Sequence, residues 1–163
     1  YENGVALATF PHLRMFPDVK LLNYMGAIMA HQTVVPLHSA YDAIFVDPRD
    51  RRTILEGTTF TVFFVNSQGE IVTPPLNGSI LDSVTRRVVL EVIKQSKDIK
   101  ILEAQVYLDR LTEFSEAFMA STTRNVLPVT RIDDQMVGSG KPGPVTLKVM
   151  DLVQGYISEF TTG

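Results

Sequence analysis

Four short apolar runs between residues 41 and 73, each about the length of a β-strand, constrain the fold more than any other feature of this sequence. They are rich in β-branched and aromatic residues, and turn-forming stretches separate them. In chain order, the predicted strands are Tyr41–Val46, Thr53–Leu55, Phe60–Val65 and Glu70–Thr73. The stretch NSQG between the last two is typical of a hairpin turn. This succession predicts neighbouring strands of one sheet.

Strand and helix patterns alternate along the rest of the chain. Further strands are predicted at Gly4–Phe10, Ile99–Tyr107, Ala117–Ala120 and Val126–Ile132. Helices are predicted at Leu21–Val35, Val84–Gln95, Leu108–Glu116 and Val145–Ile157. Ser83 is placed to cap the second helix, whose shared apolar face is predicted to hold Val84, Val88, Val89 and Val92. Intermixed strands and helices indicate an α/β or α+β domain around a mixed sheet.

Length and composition indicate one soluble domain, residues 1–163. Hydrophobic residues make up 45%, charged residues 20%, and the net charge is −3, which argues against electrostatic binding of nucleic acid. The apolar runs are far shorter than the ~20 residues of a membrane-spanning helix, so we expect no membrane contact and a cytoplasmic location. Cysteine is absent and the three histidines lack metal-ligand spacing, so no metal is expected. Because the first residue is Tyr1 and not Met, we expect a fragment or a processed product.

Three separate positions in the sequence have residues that could take part in catalysis or ligand binding. Lys20 lies at a predicted strand-to-helix change, where a partly desolvated amine could act as a Schiff-base nucleophile. Glu56 follows an apolar pair at a predicted strand end and could hydrogen-bond a protonated ring nitrogen. Ser83, Val84 and Thr85 open a helix, where free N–H groups and the helix dipole favour an anion.

A hydroxyl-rich turn, Ser121–Thr123, follows a predicted strand and adds a fourth feature. Each feature also has a purely structural explanation: a solvated surface lysine, an exposed loop glutamate, an ordinary helix cap and a structural turn. Taken singly, none of them indicates a function. Their order along the chain is more informative than any one of them.

In this order, the features resemble the class IV pyridoxal-phosphate aminotransferases, the group that holds branched-chain and D-amino acid aminotransferases and aminodeoxychorismate lyase. The stretches that carry the resemblance are DVKLLNYM, ILEGTTFTVFFV, TPPLNGSILDSVTRR, FMASTTRNVLPVTRID and GKPGPVTLKV. Together they span nearly the whole chain. The resemblance implies the large, cofactor-binding domain of a fold-type-IV enzyme, with a mixed sheet curled into a pseudo-barrel and surrounded by helices.

The resemblance also implies a role for each matching residue. Lys20 would be the catalytic lysine that forms the internal aldimine with pyridoxal 5′-phosphate and later moves the proton between substrate Cα and cofactor. Glu56 would partner the pyridine nitrogen, and Leu81 would pack against the ring. The phosphate would be held by a set of groups at the helix start and the second turn, namely Ser83, Val84, Thr85, Ser121 and Thr122.

The sequence departs from the family pattern at two places. The run after the glutamate usually ends in Asn, whereas here Phe60 and Thr61 occupy its last two positions. The phosphate loop usually contains glycine, whereas here it reads ILDSVTR, with Asp82 and Ser83. A carboxylate beside a phosphate dianion is unfavourable by about 1 kcal/mol in water, so Asp82 predicts weakened cofactor binding.

The resemblance further implies partners that complete the enzyme. Family members carry an N-terminal domain that supplies part of the substrate pocket and a phosphate-binding arginine, and that domain is expected to be missing from this chain. We therefore expect a homodimeric enzyme that transfers an amino group between an amino acid and a 2-oxo acid, with this fragment inactive alone. Two alternatives stay open: a lyase on the same scaffold that eliminates pyruvate, and a non-catalytic domain that has lost the cofactor.

Overall fold

The computed structural model describes residues 3–161, with side chains as far as Glu159. The bounds of the predicted domain, residues 1 and 163, and the expectation drawn from Tyr1 lie outside the described residues. Within that range, one mixed sheet contains ten strands: β1 Val5–Pro11, β2 Asp42–Val46, β3 Thr53–Gly57, β4 Thr61–Asn66, β5 Ile71–Thr73, β6 Ile101–Glu103, β7 Val106–Tyr107, β8 Phe114–Ser121, β9 Asn125–Ile132 and β10 Gln135–Met136.

The strands follow the order β6-β5-β4-β8-β9-β1-β2-β3-β7, with β10 paired to β9. Strand β1 pairs in parallel with both β2 and β9, strands β5 and β6 are also parallel, and the other pairs are antiparallel. One core cluster collects side chains from both ends of this order, including Val72 of β5 and Val106 of β7. The sheet therefore curls into a half-barrel around that cluster, which confirms the predicted mixed sheet and fold class.

Alternating side chains of each strand serve two different cores, as the period of a β-strand requires. In β4, Val62 and Phe64 join the inner cluster, whereas Phe63 and Val65 face the opposite side. The ring of Phe63 stacks on that of Phe118 at 4.8 Å between centroids. Two long helices, α3 Val84–Ser96 and α4 Pro144–Thr161, cover this outer face. Two shorter ones, α1 Met25–Gln32 and α2 Val34–Leu37, lie against β1 and β2.

The predicted helix Leu21–Val35 is wrong at both ends. Helix α1 begins only at Met25, because the side chain of Asn23 accepts a hydrogen bond from the Met25 amide and holds a turn there. At its other end, Thr33 departs from helical geometry with φ −118° and ψ −77°, which separates α1 from α2. The apolar run is therefore two short helices.

Two further predictions need correction. The strand predicted at Ile99–Tyr107 is two short strands, because β6 pairs with β5 while β7 pairs with β3 at the other end of the sheet. The helix predicted at Leu108–Glu116 is a 3₁₀ turn, Leu108–Glu113, and the following residues already belong to β8. Val84, predicted on the apolar face of α3, is 72% exposed, although Val89 and Val92 are buried as expected.

Candidate active site

A cavity of about 260 Å³ lies where the end of β3, the loop before β4, the start of α3 and the end of β8 meet. The segment between β1 and α1 closes one side of it with Arg14 and Lys20. The fold brings together all the residues for which the sequence predicted a role, because the lining includes Lys20, Glu56, Leu81, Ser83, Val84, Thr85, Ser121 and Thr122. Their roles stay predictions, whereas their proximity is now a structural fact.

Lys20 is held by two tight backbone turns at the edge of the cavity. The Val19 amide donates to the carbonyl of Phe16, and the Leu21 amide donates to that of Val19. Phe16 adopts a left-handed conformation with φ 52°. The Lys20 ammonium lies 5.9 Å from the ring centroid of Tyr24. The residue is exposed, so the partial desolvation expected from its position is not present in this structure.

Glu56 is 7% exposed and makes contacts on both carboxylate oxygens. Arg14 donates to Oε1 from Nε at 2.7 Å and from Nη2 at 2.6 Å, and the Leu81 amide donates to Oε2 at 3.2 Å. Burial raises the pKa of the Glu56 carboxyl, and the opposing charge of Arg14 limits that rise. A carboxylate has about four acceptor positions, so Oε2 keeps one for a further donor.

Arg14 is a residue of the cavity lining that the sequence patterns did not reveal. Its guanidinium also donates to the carbonyl of Pro17 at 2.6 Å, so it links the segment before Lys20 to Glu56. The two side chains of this pair are 42 positions apart in the sequence. The only local signal was one arginine in the short stretch between Pro11 and Pro17, directly after β1.

The start of α3 presents backbone donors to the cavity. The Ser83 hydroxyl accepts a hydrogen bond from the Arg86 amide at 3.1 Å, which confirms the predicted cap. The amides of Val84 and Thr85 belong to the first turn, whose N–H groups have no acceptor within the helix. The hydroxyl of Thr85 lies 3.2 Å from that of Thr122, so the helix start and the turn after β8 adjoin each other.

Ser121 supplies a polar atom that lacks a partner. The residue is 5% exposed, and its hydroxyl oxygen is buried without a hydrogen bond among the described residues. Burying an unpaired hydroxyl is unfavourable, and such a group in a cavity wall is suited to bind a ligand. The adjoining helix start makes an anionic ligand the best match.

The departures from the family pattern are compensated within this chain. The hydroxyls of Thr61 and Ser83 lie 3.1 Å apart, so two of the changed positions contact each other. Asp82 pairs with Arg87 through Nε at 2.9 Å and Nη2 at 2.7 Å, and this hydrogen bonding lowers the pKa of the carboxyl. The cationic partner offsets part of the charge of Asp82, and the weakened cofactor binding expected from Asp82 stays a prediction.

Neither a metal centre nor a membrane helix is found in the part of the chain that the structure describes. Across residues 3–161, no group of three His, Asp or Glu side chains is arranged to hold a metal ion. In the same range, no helix combines the length and apolarity needed to cross a lipid bilayer.

Comparison with known proteins identifies the family. The profile described as amino-transferase class IV matches residues 3–132. A D-alanine aminotransferase from Bacillus licheniformis is 37% identical over 157 residues, covering 96% of this chain and 53% of that protein. A probable branched-chain-amino-acid aminotransferase from Thermotoga maritima is 30% identical over 147 residues, covering 90% of this chain and 51% of that protein.

A solved structure agrees with these relatives. The branched-chain amino acid aminotransferase from Thermobaculum terrenum, in its PLP-bound holo-form, superimposes with a TM-score of 0.84 at 25% identity, covering 96% of this chain and 52% of that one. The chain therefore belongs to the class IV aminotransferase family. It spans about half the length of the curated relatives it matches.

Proposed function

We propose that this chain is the cofactor-binding domain of a pyridoxal-phosphate-dependent aminotransferase, which transfers an amino group between an amino acid and a 2-oxo acid. One observation carries the proposal: a single cavity brings together a lysine, a buried glutamate, a helix start and, at the end of β8, a buried hydroxyl without a hydrogen-bond partner among the described residues. These groups lie at Lys20, Glu56 and Ser121, far apart in sequence. Membership of the class IV family and the cofactor in the solved Thermobaculum terrenum structure support the same assignment.

The residues of the cavity fit pyridoxal phosphate at both of its polar ends. The unpaired Ser121 hydroxyl and the first amides of α3 suit the phosphate. The remaining acceptor position on Glu56 suits a protonated ring nitrogen at the other end. Leu81, whose amide already bonds Glu56, lines the cavity and offers an apolar side chain for the ring.

When bound, pyridoxal phosphate supplies an electron sink that stabilises negative charge at the substrate Cα. Lys20 would hold the cofactor through its amine, and its free amine would act as the base that accepts the proton of the substrate Cα. Glu56 keeps the ring nitrogen protonated, while Arg14 orients the Glu56 carboxylate and balances its charge. Ser121, Thr122 and the helix start hold the phosphate.

We also propose that the rest of the enzyme covers the surface beside Lys20. Large apolar side chains are exposed there, among them Met15 at 67%, Leu22 at 89% and Met25 at 61%. An exposed apolar patch of this kind is typical of an interface. The relatives are about twice as long as this chain, so an N-terminal domain and a second subunit of a homodimer are the proposed occupants.

The substrate pair is best sought among the substrates named for the relatives. We propose D-alanine and the branched-chain amino acids as the first amino donors to test, each with a 2-oxo acid acceptor. Release of pyruvate without any acceptor would identify the lyase alternative.

The test of the proposed function is a covalent link to Lys20. The full-length protein is mixed with pyridoxal phosphate, its absorbance spectrum is recorded, and borohydride reduction is followed by peptide mass mapping. We expect a reduced adduct on Lys20 that is absent in Lys20→Ala and retained in Lys141→Ala, an exposed lysine outside the cavity lining. An unmodified Lys20 in the full-length protein would favour a domain that has lost the cofactor.

A further inference from the structure

Asp42 is a buried carboxylate outside the cavity lining that contacts two segments which form the cavity. It begins strand β2 and is 0% exposed. A buried carboxylate is costly unless its oxygens are hydrogen-bonded. Both oxygens of Asp42 accept hydrogen bonds, so its surroundings are built for a negative charge.

The first contact leads to the Glu56 side of the cavity. Asp42 Oδ1 accepts a hydrogen bond from the hydroxyl of Thr58 at 2.6 Å and from its neighbour, the Ala43 amide, at 2.7 Å. Thr58 lines the cavity two residues after Glu56, in the loop that leads to β4. The Thr58 amide donates to the carbonyl of Ala43 at 3.2 Å, so the loop is tied to β2 twice.

The second contact leads to the phosphate side. Asp42 Oδ2 accepts from Arg124 Nη1 at 2.9 Å, and the guanidinium of Arg124 lies 5.1 Å from the ring centroid of Tyr41. The Arg124 amide donates to the carbonyl of Ser121 at 3.4 Å and closes the turn that carries Ser121 and Thr122. A third contact, with His31 Nε2 at 3.1 Å, connects Asp42 to helix α1.

We propose that Asp42 is a positioning residue that fixes the distance between the two walls of the cofactor site. One wall is the Glu56–Thr58 segment, and the other is the Ser121–Arg124 turn. This inference rests on the proposed function. Charge-assisted hydrogen bonds from both walls to one buried carboxylate keep their separation constant, which matters for a ligand that must contact both walls at once.

The proposal predicts a specific pattern of ligand affinities. Pyridoxal phosphate spans both walls, whereas pyridoxal, which lacks the phosphate, depends on the Lys20 and Glu56 side alone. Asp42→Asn is expected to weaken the binding of pyridoxal phosphate by about tenfold, because the ion pair with Arg124 is replaced by a weaker hydrogen bond to an uncharged amide. The affinity for pyridoxal is expected to stay within about twofold of the parent.

A control carboxylate lies directly after the same strand. Asp47 directly follows β2, is 6% exposed and pairs with Arg49 at 2.5 Å, but it does not line the cavity. Asp47→Asn therefore removes an equivalent charge pair and should leave the ratio of the two affinities unchanged. Thermal unfolding of both variants measures how much each substitution loosens the fold in general.

Arg124→Gln removes the same contact from its other partner. Because the Arg124 side chain is partly exposed, this variant can be used if Asp42→Asn does not fold. It should reproduce the selective loss for pyridoxal phosphate, and the double variant should lose no more than either single variant, because both remove one contact. Equal losses for both ligands, or an unchanged ratio, would overturn the positioning role. A parent protein that binds neither ligand would instead refute the proposed function itself.

Discussion

The hydroxyl oxygen of Thr61 lies 3.1 Å from that of Ser83, and these are two of the positions at which the sequence departs from the family pattern. Thr61 is 2% exposed, so its hydroxyl would be buried without this partner if residue 83 were glycine. The two departures are therefore coupled, and each makes the other acceptable. Ser83 at the same time caps α3, which adds a second reason for a hydroxyl there.

Replacing Ser83 should destabilise the fold through the loss of this cap. We expect Ser83→Ala to lower the free energy of unfolding by about 1 kcal/mol, because the Arg86 amide and Thr61 hydroxyl both lose a partner. Urea denaturation measures the change. Ser96→Ala at the far end of α3 serves as the control and should cost less, since its hydroxyl donates to the Ile93 carbonyl within the last turn and caps no helix start. If both variants lose the same free energy of unfolding, the Ser83 cap does not stabilise the fold more than an ordinary hydrogen bond at the helix end.

The pair formed by Asp82 and Arg87 should control how well the helix start receives phosphate. Arg87→Gln leaves the Asp82 carboxylate without its cation and is expected to weaken pyridoxal phosphate binding by about threefold at low salt. The double variant with Asp82→Asn should recover the parent affinity. Titration with the cofactor at two salt concentrations is the measurement. Arg110→Gln, which breaks a comparable exposed pair with Glu113 away from the cavity, should have no effect.

The protonation of Glu56 should determine how the affinity for pyridoxal phosphate changes at acid pH. Because burial raises the pKa of its carboxyl, the carboxylate that partners the ring nitrogen is lost at a higher pH than for an exposed glutamate. We expect the affinity for pyridoxal phosphate to fall as the pH drops through that raised pKa. Glu56→Gln should bind more weakly at neutral pH and lack this acid limb. An acid limb that persists in Glu56→Gln would assign the titration to another group.

The same raised pKa has the opposite effect on the stability of the protein without cofactor, which falls as the pH rises. The neutral form of Glu56 is favoured in the folded state, so its contribution to stability is fully present below the unfolded value of about 4.3 and is lost as the pH rises through the folded value. Glu56→Gln should flatten this part of the profile of unfolding free energy against pH. Chemical denaturation over that range measures it.

Gly143 should be intolerant of any side chain, because the carboxylate of Glu116 occupies the space beside it. A Cβ on Gly143 would lie 2.0 Å from Glu116 Cδ, while that carboxylate accepts hydrogen bonds from the amides of Val145 and Thr146 at the start of α4. We expect Gly143→Ala to cost about 2 kcal/mol in urea denaturation. Gly155→Ala within the same helix meets nothing within 4 Å and should stabilise the protein by up to about 1 kcal/mol.

Local patterns in the sequence predicted the elements that local forces determine. The turn at NSQG, the cap at Ser83 and the alternating strands all depend on neighbouring residues, and the structure confirms them. The end of the helix at Thr33 and the division of the strand after Ile99 depend on tertiary packing, which the patterns do not contain.

In the candidate site, too, some features could be predicted from the sequence and others depend on tertiary packing. The sequence order of Lys20 and Glu56 identified them through a family resemblance. The pairing of Arg14 with Glu56 and that of Arg87 with Asp82 were not predicted, because they depend on where side chains meet in space. The expected repulsion by Asp82 was drawn from its charge alone, without knowledge of its partner.

Strand β1 lies between β2 and β9, with Val5 opposite Val129. Strand β9 is therefore synthesised more than a hundred residues after β1. The inner core cannot form completely until β9 has paired with β1, because β9 contributes side chains to that core. Until β9 has been synthesised, β1 therefore lacks its partner on the side opposite β2. Pairing of segments so distant in sequence is slow, and apolar surface stays exposed in the meantime. We therefore expect this domain to fold only after β9 has emerged from the ribosome and to depend on chaperones more than its size would suggest.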